Sequence, residues 1–323
     1  MTWKTYLRAD PLPWLLEPDN PSVRYFTLTE LLERSQEDSE VVVAREAIMR
    51  SEPVSKILAA QYPQGYWVNR GRGYSPKYKA TVWQVIFLAE LGATPTPQIE
   101  KGCHYVLQNS TLADGRFSAH KGPGGAVNCL NGNLLRALIR LGYGQHRAVQ
   151  RALQKLAEVA VQEGFRCRFN ALTPFPKRMD DGLPCAWGAI KVLAAFTQVP
   201  LDHRSSVMEK AISQGTDLLL SHDLTKADYP NASGVSPLWF KLGFPLGYSS
   251  DVLEALHVLS RLGLSDDPRL APAVTFVLSK QDQEGRWTLE HTPQKMWARF
   301  ETKGQPSKWV TLRALRVLKR LGG

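Results

Sequence analysis

The sequence predicts an all-α protein built from helical hairpins that share one core. Four apolar helices close on a Leu-Gly pair, and a fifth stops before Pro200; the pairs are Leu91-Gly92, Leu141-Gly142, Leu262-Gly263 and Leu321-Gly322. These stops recur every 50 to 63 residues. A single hairpin cannot bury its apolar face alone, so a repeat of this length predicts hairpins that are stacked or closed into a ring.

A second recurring feature is the turn before each apolar helix. It combines Gln, Gly and an aromatic residue at 61–67, 108–117, 162–165 and 281–287. Glycine supplies the positive φ of a tight reversal, and the aromatic ring covers the end of the hairpin. These turns are therefore predicted to be scaffold.

The helices that follow these turns are apolar nearly all round, which is typical of inner helices. They are predicted at 80–91, 128–141, 185–197, 249–262 and 308–321, with amphipathic partners forming an outer layer. Residues 1–52 are predicted to be a divergent first helical unit continuous with the repeat domain at 53–323. In this unit Asn20 caps a helix that starts at Pro21, and a second helix runs over 40–50.

Composition limits the classes of function. The 323 residues carry a net charge of +10 and four cysteines, and no apolar run has the length of a signal peptide or a membrane span. We expect a soluble, cytoplasmic protein with peripheral membrane contact at most. The basic residues at helical spacing are predicted to be solvated outer faces, and no nucleic-acid motif accompanies them, so we expect no nucleic-acid partner. These residues are Arg147, Arg151 and Lys155, and Arg313, Arg316 and Arg320.

Over about 53–323 the chain resembles the α/α-toroid superfamily of squalene/hopene and other terpene cyclases and of protein prenyltransferase β-subunits. The turns quoted above look like the Gln-Trp repeats of that group, most clearly at 276–287. The resemblance implies an (α/α) toroid of about six helical hairpins. It also implies an isoprenoid or other apolar ligand in a central cavity, with cyclisation or prenyl transfer as the chemistry.

Carboxylates are the catalytic candidates. Asp180 and Asp181 precede an inner helix, although the Asp-x-Asp-Asp acid motif of protonation-initiated cyclases lacks its first carboxylate here. Asp251 opens another inner helix, where it also suits a cap. A carboxyl group in an apolar cavity can stay protonated near neutral pH, as an acid-initiated cyclisation requires.

Basic and aromatic residues precede each inner helix and would meet around one mouth of a toroid. Together with the positive ends of the helix dipoles, they predict a basic rim for an anionic head group above an aromatic cavity. The alternative is that these lysines only solubilise loops and that the rings only fill the core. The candidate ligand-binding residues are Lys79, Trp83, Lys121, Lys177, Arg178, Trp187, Trp239, Lys241, Tyr248, Lys308 and Trp309.

Cys129 and Cys185 occupy matching positions at the starts of two inner helices, and Cys167 and His120 lie in the loops before them. Together these residues would supply a Cys₃His zinc site, or an open site with fewer protein ligands and room for a substrate. A helix N-terminus would lower the thiol pKa. Ordinary burial of the cysteines is the alternative. Three hypotheses therefore stay open: a cyclase or prenyltransferase-like enzyme, a non-catalytic toroid that binds lipid or a partner, and a zinc–thiol enzyme.

Overall fold

The computed structural model describes residues 3–167, 183–229 and 234–322. Within these ranges the chain is almost entirely helical. The α-helices are α1 (Leu12–Leu15), α2 (Pro21–Phe26), α3 (Ser39–Arg50), α4 (Glu52–Ala59), α5 (Thr81–Glu90), α6 (Pro97–Asn109), α7 (Asn128–Leu138), α8 (Arg147–Glu163), α9 (Ala186–Phe196), α10 (Ser206–Leu220), α11 (Val252–Arg261), α12 (Ala271–Ser279) and α13 (Lys308–Leu321). Strands β1 (Trp287–Thr288) and β2 (Pro306–Ser307) form one short antiparallel pair.

Short helical segments of other types join these helices. Thr27–Leu31 and Ile139–Tyr143 are π-helical and extend α2 and α7. The 3₁₀ helices are Trp3–Tyr6, Pro123–Gly125, Leu201–His203, Pro237–Phe240 and Pro268–Leu270.

Five apolar helices lie side by side as the inner wall of a ring. Each of α5, α7, α9, α11 and α13 packs on the next one along the chain. Their bounds agree with the five predicted inner helices to within about three residues. The outer helices α4, α6, α8, α10 and α12 alternate with them in sequence, as the repeat predicts.

The N-terminal unit closes the ring. Helix α2 and its π-helical extension pack on α13, and the ring of Phe26 lies 6.1 Å from that of Trp309. On its other side Phe26 meets the end of α5, because a Cβ added to Gly92 would lie 2.9 Å from the Phe26 ring. The protein is therefore an all-α (α/α) toroid of six inner helices, and Asn20 caps α2 by accepting a hydrogen bond from the amide of Val23.

Two glycines show how tightly this scaffold is built. A Cβ on Gly132 of α7 would lie 2.2 Å from the carbonyl oxygen of Lys191, so glycine lets α7 and α9 touch backbone to backbone. Gly285 belongs to one of the predicted turns and has φ +76°, and its Cβ would lie 2.1 Å from the carbonyl of Ala9. The glycine of this turn thus allows both the reversal and the docking of the N-terminal segment.

One continuous hydrophobic core joins the N-terminal unit to all of the inner helices. No helix in the described ranges combines the length and apolar character that crossing a membrane would need.

Candidate functional site

The loops that precede the inner helices meet at one end of the ring, as predicted. The indole of Trp297 donates a 2.9 Å hydrogen bond to the carbonyl of Lys79. The ring of Tyr78 stacks on that of Tyr248 with centroids 6.3 Å apart, which joins the loop before α5 to the loop before α11. Asn133 of α7 donates to the carbonyl of Gly247 at 2.7 Å and anchors the second loop.

Five aromatic side chains gather there and form what we call the aromatic mouth: Tyr74, Tyr78, Trp83, Trp187 and Tyr248. Neighbouring ring centroids lie 5.0 to 6.3 Å apart, which is typical of edge-to-face and offset pairs. Tyr78, Trp187 and Tyr248 stay partly exposed. Burial, followed by the nearby tyrosines and cysteines, raises the pKa of Tyr74 and Tyr78, so their phenols stay neutral. The mouth is thus an apolar, uncharged surface that solvent reaches.

The lysines that precede the inner helices differ in what they touch. Lys79 lies over the ring of Trp297 at 4.9 Å, and Lys77 lies over Tyr248 at 4.2 Å. Lys121 and Lys241 are exposed. Lys308 is different, because its side chain is only 6% exposed and its ammonium contacts Glu17 and Asp19. Lys308 therefore ties α13 to the N-terminal unit and has no charge left for a ligand.

Trp83 of the aromatic mouth is itself buried, and two more of the candidate tryptophans belong to the core. Trp309 is 2% exposed and stacks on Phe244 with centroids 4.0 Å apart. Trp239 is also 2% exposed, and its indole donates to the carbonyl of Leu224 at 2.7 Å. Both fill space between helices, as the alternative interpretation of the rings predicts. The remaining candidates in this region, Lys177, Arg178, Asp180 and Asp181, lie outside the described residues.

Three cysteines lie beside the aromatic mouth. The Cys185 thiol is hydrogen-bonded to that of Cys167, and Cys129 is close enough to act on both electrostatically. Burial, then the neighbouring Cys167, raises the pKa of Cys129 to about 12, and the hydrogen bond with Cys167 and burial raise that of Cys185. The expected lowering of these pKa values by a helix N-terminus is therefore wrong, because desolvation and thiol neighbours outweigh the helix end.

The predicted fourth zinc ligand, His120, places its Nδ1 3.2 Å from the carbonyl of Lys121. Over 3–167, 183–229 and 234–322, no three His, Cys, Asp or Glu side chains are arranged to hold a metal ion. The zinc assignment of Cys129, Cys167, Cys185 and His120 stays a prediction.

Asp251 is fully buried at the start of α11. Its carboxylate accepts hydrogen bonds from the amides of Glu254 (2.8 Å) and Gly243 (3.0 Å) and from the guanidinium of Arg313 (2.7 and 3.0 Å). These contacts are those of a helix cap and an ion pair.

The interior of the ring carries charges that the sequence analysis did not single out. The ammonium of Lys191 lies 2.7 Å from the carboxylate of Glu254, and both side chains are buried. Arg136 lies 3.6 Å from the same carboxylate. These residues belong to α9, α11 and α7, and side chains from three inner helices can meet only inside the ring. We call Glu90, Arg136, Lys191 and Glu254 the axial cluster.

Glu90 stands out within the axial cluster. Burial raises the pKa of its carboxyl, although the nearby charges of Arg136 and Lys191 act in the opposite direction. Its Oε2 atom is buried and has no hydrogen-bond partner among the described residues. A carboxyl group of this kind holds a proton more readily than an ordinary glutamate.

The prediction that Arg313, Arg316 and Arg320 are solvated is wrong for α13. Arg313 and Arg316 are only 12% and 11% exposed, and they pair with Asp251 and Glu30. On α8, Arg147 and Arg151 are exposed as predicted. The sequence does carry a signal for the inner charges, namely a charged residue inside an otherwise apolar helix, such as Lys191 in 186–196. Burying an unpaired charge is energetically costly, so such a residue requires a partner of opposite charge.

Similarity to known proteins is found among solved structures alone. No family model and no curated protein sequence matches the chain. Among solved structures, it is similar to the apo type II terpene cyclase MstE from Scytonema, at 12% identity and a TM-score of 0.43, covering 93% of this chain and 87% of that one.

Two complexes of MstE variants are also similar. The complex with the substrate geranylgeranyl dihydroxybenzoate has 12% identity, a TM-score of 0.31 and coverage of 86% and 97%. The complex with the product merosterolic acid A has 13% identity, a TM-score of 0.33 and coverage of 86% and 96%.

Proposed function

We propose that the aromatic mouth binds an apolar, isoprenoid-like ligand whose anionic head group pairs with the lysines around it. The observation that carries this proposal is the gathering of partly exposed rings from two loops and the first turn of α9, in Tyr78, Tyr248 and Trp187. Polarisable ring faces suit an unsaturated hydrocarbon chain, and they also stabilise positive charge that develops along it.

The lysines support the second half of the proposal. Lys79, Lys121 and Lys241 precede inner helices, and Lys77 adds a fourth ammonium above Tyr248. The N-termini of α5, α7 and α11, which these lysines precede, add positive potential to the same end of the ring. We also propose Lys177 and Arg178, in the segment of sequence before α9, as contributors. In this scheme the head group stays at the rim while the chain lies on the rings.

Binding is tested by isothermal titration with farnesyl and geranylgeranyl diphosphate. We expect saturable binding that Tyr248→Ala weakens by about tenfold, because the variant removes a ring that touches both Tyr78 and Trp187. Tyr62→Ala is the matched control, since Tyr62 is 48% exposed and stacks on Tyr66 in an outer turn. Changing Lys79, Lys121, Lys177 and Lys241 together to alanine should weaken the diphosphates but not farnesol.

Catalysis is the further step of the proposal. We propose Asp180 and Asp181 as the acids of a proton-initiated cyclisation. The third candidate, Asp251, is set aside because its carboxylate already caps α11 and pairs with the guanidinium of Arg313. Product analysis by mass spectrometry after incubation with geranylgeranyl diphosphate tests this step, with Asp180→Asn and Asp181→Asn as the variants. Binding without turnover would instead favour a non-catalytic lipid carrier of the same shape.

The zinc–thiol alternative and the cytoplasmic, membrane-peripheral location stay predictions. The adjacency of Cys167 and Cys185 favours the zinc hypothesis. The raised pKa of the Cys185 thiol and the lack of a three-ligand arrangement in the described ranges disfavour it. Elemental analysis of the wild type against Cys129→Ala and Cys185→Ala decides between them. Stoichiometric zinc that both variants lose would establish the zinc centre.

A further inference from the structure

The C-terminal ends of the inner helices gather arginines, at the end of the ring opposite the aromatic mouth. Arg261 of α11 donates to the carbonyl of Thr197 at 3.3 Å, and Arg140 donates through Nε to the side chain of Gln198 at 3.3 Å. Thr197 and Gln198 follow one another at the end of α9, so arginines from both neighbouring helices converge on one point. Arg320 of α13 completes the group by donating to the carbonyl of Arg316 at 2.8 Å.

These arginines use few of their donors on the protein. Each guanidinium carries five N–H donors. In the described ranges, Arg140, Arg261 and Arg320 make one hydrogen bond each. Arg316 is the exception, because its guanidinium binds both carboxylate oxygens of Glu30, at 2.5 and 2.9 Å. Most N–H groups of the first three residues therefore remain available to a ligand.

Positive charge exceeds negative charge at this end. With that of Arg136, five guanidinium groups act on one another and on two carboxylates, Glu30 and Glu90, and the raised pKa of Glu90 weakens its contribution. Burial, then Arg136 and Arg316, lowers the pKa of Arg140 well below its usual range. Burial, then Arg320 and Arg136, lowers that of Arg261 to about 10. Arginine side chains are not deprotonated in proteins, so an anion placed among these guanidinium groups relieves their mutual repulsion.

A neutral histidine lies in the same group. Burial, followed by the charges of Arg316 and Arg320, lowers the pKa of His257 well below its usual range. Its Nδ1 atom is buried, and no described residue bonds to it. An unsatisfied buried ring nitrogen is costly unless a ligand or water supplies its partner.

The geometry points to an oxyanion-binding site formed by Arg140, Arg261, Arg316 and Arg320, which we call the arginine end, and to a diphosphate group as its ligand. Guanidinium forks match phosphate oxygens in pairs, and a diphosphate offers more oxygens and more charge to four arginines than a carboxylate or a single phosphate does. Access is open, because Arg261 is exposed and Arg140 and Arg320 are half-buried. This site is independent of the ligand proposed for the aromatic mouth.

The test is isothermal titration of the full chain with inorganic pyrophosphate at about 0.15 M ionic strength, where weak surface attraction is screened. We expect saturable 1:1 binding, weaker binding of inorganic phosphate, and a loss of about tenfold or more in affinity for Arg261→Gln and for Arg320→Gln. Arg261→Lys keeps the charge but not the fork, and it should fall between wild type and Arg261→Gln. Thermal unfolding confirms that each variant is folded.

Arg147→Gln and Arg151→Gln are the matched controls, since both arginines lie exposed on α8. They should change the pyrophosphate affinity less than twofold. Lack of saturable binding by the wild type, or an equal loss in the α8 variants, would overturn the inference. Tyr248→Ala should leave pyrophosphate binding unchanged. The proposal for the aromatic mouth and the proposal for the arginine end can therefore each be contradicted without affecting the other.

Discussion

The N-terminal ends of the inner helices gather rings and thiols, whereas their C-terminal ends gather guanidinium groups. Helix dipoles place about half a positive charge at each N-terminus and half a negative charge at each C-terminus. The dipoles alone would therefore attract a bound anion to the N-terminal ends and not to the C-terminal ends. The four side-chain charges of Arg140, Arg261, Arg316 and Arg320 exceed those partial charges. Side-chain charge can therefore outweigh the helix dipoles, so that an anion is attracted to the C-terminal end of this ring as well as to the N-terminal end that the dipoles favour.

Between the two ends lies the axial cluster, whose ion pair gives the largest expected effect. Lys191→Met leaves the buried carboxylate of Glu254 with Arg136 alone, 3.6 Å away. Breaking a buried ion pair on one side typically costs about 3 to 5 kcal/mol. We expect a loss of this size in the free energy of unfolding, measured by urea denaturation.

Lys56→Met is the control for that experiment, because the Lys56–Glu52 pair is exposed and should change stability by less than about 0.5 kcal/mol. If both variants cost the same, the axial pair contributes no more than a surface pair. The claim that a buried ion pair stabilises the interior of the ring would then be contradicted.

At the arginine end, Glu30 is the carboxylate that Arg316 holds. Burial raises its pKa, but the charge and hydrogen bonds of Arg316 outweigh burial and lower the pKa overall. A lowered folded-state pKa contributes stability above the unfolded pKa, and this contribution is lost as pH falls through the folded value. Glu30→Gln should therefore lower the free energy of unfolding by about 1 kcal/mol at pH 7 and by less near pH 4. The value at pH 7 is modest because solvent screens the half-exposed carboxylate.

Glu90 should behave in the opposite way. Its raised pKa means that folding favours the protonated form, so the wild type loses stability as pH rises from the unfolded pKa through the folded value. Glu90→Gln removes this loss and should stabilise the protein by about 1 kcal/mol at pH 7. Thermal melts from pH 4 to 8 should show the gain growing with pH. A destabilised Glu90→Gln at pH 7 would contradict the assignment of a readily protonated carboxyl.

The smallest expected effect concerns the thiols of the mouth. Because the pKa of Cys129 is about 12 and that of Cys185 is raised, little thiolate exists at pH 8. Alkylation by iodoacetamide, followed by peptide mass spectrometry, should be at least tenfold slower in the native protein than in urea. Fast native labelling of Cys185 would instead indicate the low-pKa thiolate that zinc binding requires.

The sequence predicted the wall of the ring well, because Leu-Gly stops and glycine turns are local signals. Helix α13 was placed at 308–321, and the structure has it at Lys308–Leu321. The side-chain chemistry was harder to predict. Lys191 looked like part of an apolar helix, and its partner Glu254 is 63 residues away. The sequence predicts Lys308 at the rim of the mouth, whereas in the fold its ammonium contacts Glu17 and Asp19. These partners could not be predicted because they meet Lys308 only when the N-terminal unit closes the ring.

The central claim, that the aromatic mouth and not the arginine end holds the hydrocarbon ligand, is tested most directly by photocrosslinking. A diazirine-bearing farnesyl diphosphate analogue would be crosslinked to the full chain, with and without excess pyrophosphate, and the labelled peptides would be mapped by mass spectrometry. Our account predicts labels around Tyr74–Tyr78, Trp187 and Tyr248 that persist when pyrophosphate fills the arginine end. Labels confined to α8 and α10, or labels that pyrophosphate abolishes, would contradict it.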